Sequence, residues 1–285
     1  MSDLLPPGSS LQPQAESDAQ LVVLWLHGKA KTTQTAYASE IDRFFRTVNK
    51  PLGSCKLGDL QTYLNSLNHN SPATVARSTN AIKSLYSFAQ RIGYVQWNVA
   101  APLKAPKVKN TLAERILTEE QARAILAGEP DPRNRSILRL LYAGALRASE
   151  LCELRWRDLQ QRGETGQITV FGKGGKTGVV LLPAAIWREL QALPGEHASD
   201  APVFPGIRGQ ALNRGQVWRV VKRSAQRVGL EASPHWFRHS HASHAIDRGA
   251  PISLVQQTLR HSNVATTSRY LHVRPNESSS NFLSL

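Results

Sequence analysis

The chain is short of acid, of cysteine and of long apolar runs, and each shortage removes a class of protein. Of its 285 residues only 21 are Asp or Glu, against 35 Lys or Arg, for a formal charge of +14. A surface with that balance attracts a polyanion, and nucleic acid is the first candidate. The excess is not confined to one end: 12 basic and 6 acidic residues precede Asn110, and 23 and 15 follow it. Two basic halves argue for two parts that touch the same polyanion, and against a lone basic tail on a neutral enzyme. Only Cys55 and Cys152 occur, so no disulfide framework is indicated and a reducing cytoplasm fits. No apolar run approaches the roughly eighteen residues of a membrane span. The opening, MSDLLPPGSSLQPQAES, lacks the basic-then-apolar build of a signal peptide. The expectation is a protein that neither enters a membrane nor is exported.

What is present is enough chain for two domains. Residues 1–15, rich in Pro, Ser and Gln, read as a flexible arm. Residues 16–103 read as a helical domain of four helices. The first carries Leu21, Trp25 and Leu26 and should end at Gly28. Thr32 or Thr33 should cap the second, whose apolar face is Tyr37, Ile41, Phe44, Phe45 and Val48. The third holds Leu60, Tyr63, Leu64 and Leu67, and the fourth starts with Ser71 as cap and Pro72 as first residue. Residues 104–111 read as a basic linker. Beyond it, Thr118-Glu-Glu-Gln121 is a capping-box pattern, and two β-branched runs flank Gly172-Lys-Gly-Gly175 as a hairpin with Lys173 at the turn. The rest, from Trp187 onward, is mainly helical, so the fold class is mainly α with a small antiparallel sheet.

The residues that carry chemistry are individually unremarkable. Arg147 follows Gly144 at a helix break, with Ser149 placed to cap the next helix; alone, such an arginine usually makes a surface salt bridge. A turn lysine such as Lys173 is usually solvated. The segment SPHWFRHSHASHAIDRG says more. Ser233 as cap and Pro234 as first residue place His235 and Arg238 on one face near a helix N-terminus, where amides and dipole favour an anion. His235, His239, His241 and His244 also raise the question of metal, but no carboxylate or Cys completes a ligand set of known geometry. Finally, LRHSNVATTSRYLH sets His261 nine residues before Tyr270, with Ser262 able to cap a helix carrying Val264, Thr267 and Tyr270.

Taken together, residues 140–272 resemble the catalytic domain of the tyrosine recombinases, the phage integrase family. The resemblance places that family's first arginine at Arg147 in GALRASEL, its hairpin lysine at Lys173 in GKGGK, and its His-x-x-Arg pair at His235 and Arg238. Its sixth residue falls at His261 and its nucleophile at Tyr270. Phe237 and Arg260 stand where the family often has Leu and Gly. Residues 16–103 look like the family's core-binding domain, by layout more than by motif. What the resemblance implies is a two-domain clamp, with a catalytic domain over 112–272; the tail, 273–285, ends in apolar Phe282 and Leu283, which leaves open docking on a neighbouring subunit, docking on its own chain or disorder.

It further implies a site-specific recombinase that needs no cofactor and no metal. Tyr270 attacks a phosphodiester to leave a 3′-phosphotyrosyl link and a free 5′ hydroxyl. Arg147 and Arg238 neutralise the non-bridging oxygens, Lys173 protonates the leaving oxygen, His235 assists proton transfer from Tyr270, and His261 buttresses the phosphate. The partners expected are double-stranded DNA and further copies of the chain, four on two paired sites. Side chains expected to touch DNA are Arg77 and Lys83 in the first domain, Lys107 in the linker, and Arg219, Lys222 and Arg223 in NRGQVWRVVKRSAQRVG. Two other readings compete: a DNA-binding regulator on the same scaffold without catalysis, and a type IB topoisomerase, which needs no paired sites.

Overall fold

The computed structural model describes residues 14–109, 111–171, 177–195, 197–206, 209–261 and 263–270. The chain folds as two compact units, Met1–Lys109 and Asn110–Leu285. In the first unit, α1 (Asp18–Leu26), α2 (Lys31–Val48), α3 (Leu57–Ser66) and α4 (Pro72–Arg91) pack with a 3₁₀ turn at Leu52–Ser54. The Ser17 and Ser71 hydroxyls cap α1 and α4, accepting the Gln20 and Thr74 amides at 3.2 and 3.3 Å. The cap expected at Thr32 or Thr33 is not there. α2 starts at Lys31 with Ala30 in the cap position, so both threonines lie inside the first turn. The Gln34 amide instead reaches back to the Leu26 and Lys29 carbonyls.

Apolar residues at helical spacing converge as Leu21, Trp25, Ile41, Phe44, Leu60, Tyr63, Ile82, Leu85 and Tyr86, each contributing about 1.5–3 kcal/mol by leaving water. Trp25 stacks on Tyr37 at 5.1 Å, and Phe44 meets Tyr63 edge-on at 5.3 Å. Asp18 joins the ends of the unit by accepting the Leu52 amide at 2.9 Å and the Tyr94 hydroxyl at 2.8 Å. Ala15 is buried in this core, so the expected arm does not extend to residue 15; residues 1–13 lie outside the described residues. Ala100 and Leu103 are also buried, and 104–109 are exposed.

The second unit runs α5 (Glu119–Ala127), α6 (Pro132–Tyr142), α7 (Ala148–Glu153), β1 (Leu159–Arg162), β2 (Thr165–Phe171), β3 (Thr177–Leu182), α8 (Ala184–Gln191), α9 (Arg214–Arg227), α10 (Pro234–Asp247), α11 (Ile252–Leu259) and α12 (Val264–Ser268). The capping box forms as read: Thr118 accepts the Gln121 amide at 3.1 Å and Gln121 accepts the Thr118 amide at 2.9 Å. The sheet is antiparallel in the order β1-β2-β3. β1, of sequence LQQR, has no apolar alternation to announce it; pairing with β2 makes it a strand. Ile168, Val170, Val180 and Leu182 face the core, while Phe171, Val179 and Leu181 are exposed. The α8 residue Trp187 lies so close to β2 that a Cβ at Gly166 would come within 2.0 Å of its ring. Leu138, Leu140 and Leu141 of α6, Val217 and Val221 of α9 and Phe237 of α10 complete the interior. The hairpin turn, with Lys173, and the tail beyond Tyr270 lie outside the described residues. Among the described residues no helix is long and apolar enough to cross a membrane.

Candidate active site

Arg147 sits where α7 begins, in extended backbone just before Ala148. Glu150 accepts both its amide and its guanidinium at 2.7 Å. The expected cap, Ser149, lies inside the helix. The acid at the third helical position does the capping, because a carboxylate there reaches back over the first turn and suits the positive end of the dipole. Glu150 is only 5% exposed and takes a second guanidinium, Arg260, at 2.6 Å. Burial opposes its ionisation, but the Arg260 charge, the Arg147 amide and the two guanidinium hydrogen bonds outweigh it and hold its pKa below the usual carboxylate range.

Arg260 ends α11 in the left-handed conformation, φ 52°, at a cost of about 1 kcal/mol for a residue with a Cβ. Its side chain lies against β3 where a Cβ at Gly178 would come within 2.4 Å of its Cδ, so the glycine makes room for the arginine. Arg238, 4% exposed, projects from the first turns of α10 and donates to the Ala145 and Leu259 carbonyls. Ala145 is itself left-handed, φ 47°, and its carbonyl also receives Arg260 at 3.2 Å. Both hydrogen bonds of Arg238 thus go to neutral acceptors. Burial, then the charges of Arg147 and Arg260, push its pKa down to about 9, against the pull of Glu150 and Tyr270; it stays cationic at neutral pH.

His235 occupies the first turn of α10, after Ser233 and Pro234 in the positions read for them, although the Ser233 side chain makes no capping bond. Its pKa is lowered by loss of hydration and by Arg238, Arg147 and Arg115. The residue is nevertheless exposed, so the three cations are the firmer cause. His261 follows α11 with Nδ1 2.9 Å from the buried Thr267 hydroxyl. Burial, then Arg238, Arg147 and Arg260, take its pKa to about 4. The helix cap near it is Asn263, accepting the Ala265 amide; Ser262 lies outside the described residues.

Tyr270, 5% exposed, packs with Ala145, Ala242, Val255 and Leu259. Its hydroxyl is not sealed off in an apolar interior: it lies 2.7 Å from Nδ1 of His239. Burial raises its pKa, while Arg238 and Arg269 draw it down. Arg147, His235, Arg238, His261 and Tyr270 are therefore gathered around one buried guanidinium. Three members, Glu150, Arg260 and His239, were given no part in this site by the sequence. Glu150 had a signal, its spacing of three from Arg147. For the pairing of Arg260 with Glu150 and of His239 with Tyr270 no local signal exists. Among the described residues no cluster of His, Cys, Asp and Glu is arranged to hold a metal; His244 is engaged with the Tyr142 hydroxyl and the Leu117 carbonyl.

The residues expected to touch a polyanion are less alike. Arg219, Lys222 and Arg223 are exposed on α9, with Lys222 over the Trp218 ring at 5.0 Å. Arg219 and Arg223 line an open groove of about 550 Å³ together with Arg133, Gln216 and Arg227. Lys107 is exposed. Arg77 is held by the buried Glu40, with Nε at 2.8 Å. Lys83 does not stand free: its ammonium donates to the Ala101 and Leu103 carbonyls at 3.0 and 2.6 Å, fastening the chain that follows α4.

The profile of the Phage integrase family matches residues 115–277, and that of the phage integrase N-terminal SAM-like domain matches residues 20–92. The chain belongs to the phage integrase family. Within it, the chain is 36% identical over 210 residues to tyrosine recombinase XerC of Xanthomonas campestris pv. campestris (strain B100), covering 71% of this chain and 65% of that protein. It is 32% identical over 297 residues to tyrosine recombinase XerD of Vibrio cholerae serotype O1, covering 96% and 95%. Its fold is that of a XerH site-specific recombinase bound to palindromic difH substrate (TM-score 0.74, 21% identity, 94% of this chain and 85% of that one). A lambda integrase dimer bound to a COC′ core site is equally similar (TM-score 0.74, 21% identity, 92% and 77%).

Proposed function

We propose that the chain is a tyrosine-type site-specific recombinase that cuts and rejoins double-stranded DNA without cofactor or metal. The observation that carries the reading is the Tyr270 hydroxyl, held at the edge of a cationic cluster built on Arg238, whose two hydrogen bonds to carbonyls leave its charge unpaired. A phosphodiester resists attack because its negative oxygens repel the nucleophile, and fixed cations answer that repulsion without rearranging during the reaction. Arg147 and Arg238 take the non-bridging oxygens. His235 lies beside them, and His261, fixed by Thr267, completes the wall. Lys173 supplies the proton to the departing 5′ oxygen. Because one phosphoester replaces another, the tyrosyl–DNA link conserves the bond for rejoining to a new 5′ hydroxyl.

DNA contact outside the reaction centre falls to residues 16–103 and to the exposed face of α9 with Arg219, Lys222 and Arg223. The XerH and lambda integrase structures of the same fold are DNA complexes, and relatives named tyrosine recombinases support strand exchange; exchange between two paired sites takes four copies of the chain. Two free thiols, Cys55 and Cys152, suit a reducing cytoplasm where DNA is at hand. The test is a nicked suicide duplex: wild-type protein forms a covalent protein–DNA adduct, and Tyr270→Phe forms none while still binding the duplex. An undiminished adduct in Tyr270→Phe rejects the assignment. Relaxation of a supercoiled plasmid that lacks target sites would instead make the protein a topoisomerase.

A further inference from the structure

His239 lies one residue after Arg238 and four after His235, so the three sit together in the N-terminal part of α10. Its ring is 6.3 Å from that of His235. Of the two, only His239 has a ring nitrogen within hydrogen-bond distance of the Tyr270 hydroxyl, Nδ1 at 2.7 Å, and the His239 and Tyr270 rings are 5.8 Å apart and tilted by 46°. Tyr270 is otherwise packed among apolar side chains. A phenol must lose its proton as its oxygen bonds to phosphorus, and a proton can leave only toward an acceptor already in contact or one water away.

Resting on the recombinase reading above, we infer that His239, not His235, receives the Tyr270 proton during strand cleavage. The Tyr270 O–H bond breaks as the Tyr270 O–P bond forms. The proton passes to Nδ1 of His239, the P–O5′ bond breaks, and the 5′ oxygen takes a separate proton from Lys173. On rejoining the same atoms run in reverse, with His239 returning the proton to the tyrosyl oxygen.

The surroundings of His239 give this step a built-in order. Burial, then His235 and Arg238 on its own helix, Arg115 from the turn before α5 and Arg269 beside Tyr270, lower its pKa to about 4, so it is neutral, and in the tautomer with the proton on Nε2 its Nδ1 is open to the phenol proton. It is also a poor base, and the cations keep it so. A phosphate seated against Arg238 offsets those charges and strengthens the base as the substrate arrives. The buried phenol, whose own pKa is raised by burial, therefore stays protonated until DNA is docked.

The test uses the full chain and the duplex that the wild-type protein cleaves, identified by trapping its adduct on fragmented genomic DNA and resynthesised as a nicked suicide substrate. One version carries oxygen and the other sulfur at the 5′ bridging position. His239→Ala is expected to slow adduct formation about 100-fold with unchanged duplex affinity, and to abolish the acid limb of the rate-against-pH curve; His235→Ala keeps that limb. A sulfur leaving group needs no proton, so the sulfur substrate is expected to relieve Lys173→Ala and to leave His239→Ala slow. His239→Asn keeps an acceptor near the place of Nδ1 without its proton affinity, and is expected to bind DNA and remain slow. A His239→Ala protein with wild-type rate and pH curve, relief of it by sulfur, or full rescue by His239→Asn would each overturn the inference. An adduct that survives Tyr270→Phe, run alongside, defeats the recombinase reading itself and is distinguishable from all three.

Discussion

Glu40 in the first unit and Glu150 in the second are both buried, at 3% and 5% exposure, and each is held by two arginines. Their partners differ. Arg43 and Arg77 leave 41% and 52% of their side chains in water, and the Ser78 hydroxyl completes Glu40 at 2.6 Å. That carboxylate ties α2 to α4, and its arginines could be hydrated without it. Around Glu150 water is scarce: Arg260 is 9% exposed and Arg147 34%. The carboxylate that offsets Arg238 is this same Glu150, already holding two other guanidinium groups. The first arrangement leaves one positive charge over, on arginines that water can screen, and the second leaves two, on arginines that are more deeply buried, where a phosphate oxygen can collect them.

Breaking the second arrangement should show the largest effect. Arg238→Ala is expected to slow adduct formation by about 10²–10³-fold, the usual loss when a fixed charge-stabilising donor is removed. Arg238→Lys should restore little, since one ammonium cannot span the Ala145 and Leu259 carbonyls and still face a phosphate. Single-turnover gel assays read both. Next comes a matched pair of neutralisations read by thermal or urea unfolding. Glu150→Gln strands the buried Arg260 and should destabilise by on the order of 3 kcal/mol. Glu40→Gln strands arginines that water can reach and should cost about 1 kcal/mol, leaving the cleavage rate of folded protein unchanged. Equal losses from the two would erase the distinction.

The smallest effect per group is that of pH. His239, His241 and His261 are each held near a pKa of about 4 in the fold, first by burial, against 6.5 when unfolded. Below pH 6.5 the unfolded chain therefore binds more protons than the folded one, and stability drains as pH falls toward 4. All three residues are partly exposed, so solvent softens the effect. Melting temperature measured at pH 7, 5.5 and 4.5 should fall monotonically.

Several elements were legible because their cause is local. Ser71-Pro72, Thr118-x-x-Gln121 and the apolar face of α2 depend on residues within a few turns of each other, and they form as read. Local reading failed where two local answers competed. Thr32, Thr33 and Ser149 are good caps in isolation, but Ala30 and Glu150 take over once the helices start earlier or borrow an acid. Lys83 looked like a free cation on a helix face. It is engaged because the segment after α4 folds back along that face and brings two carbonyls, 18 and 20 residues away, within its reach. β1 escaped notice because its polar residues become a strand only through β2.

The order of Arg147, Lys173, His235, Arg238, His261 and Tyr270 along the chain, and the basic character of both halves, are properties of sequence alone, since chemistry-bearing types and helix-start signals are written in short stretches. Which imidazole faces the phenol, and which arginines share a carboxylate, only the tertiary structure decides. His239 meets Tyr270 across 31 residues and Arg260 meets Glu150 across 110. Contacts that distant are set by how α7, α10 and α11 pack, where a turn of one residue on a helix swings a side chain by about 100°.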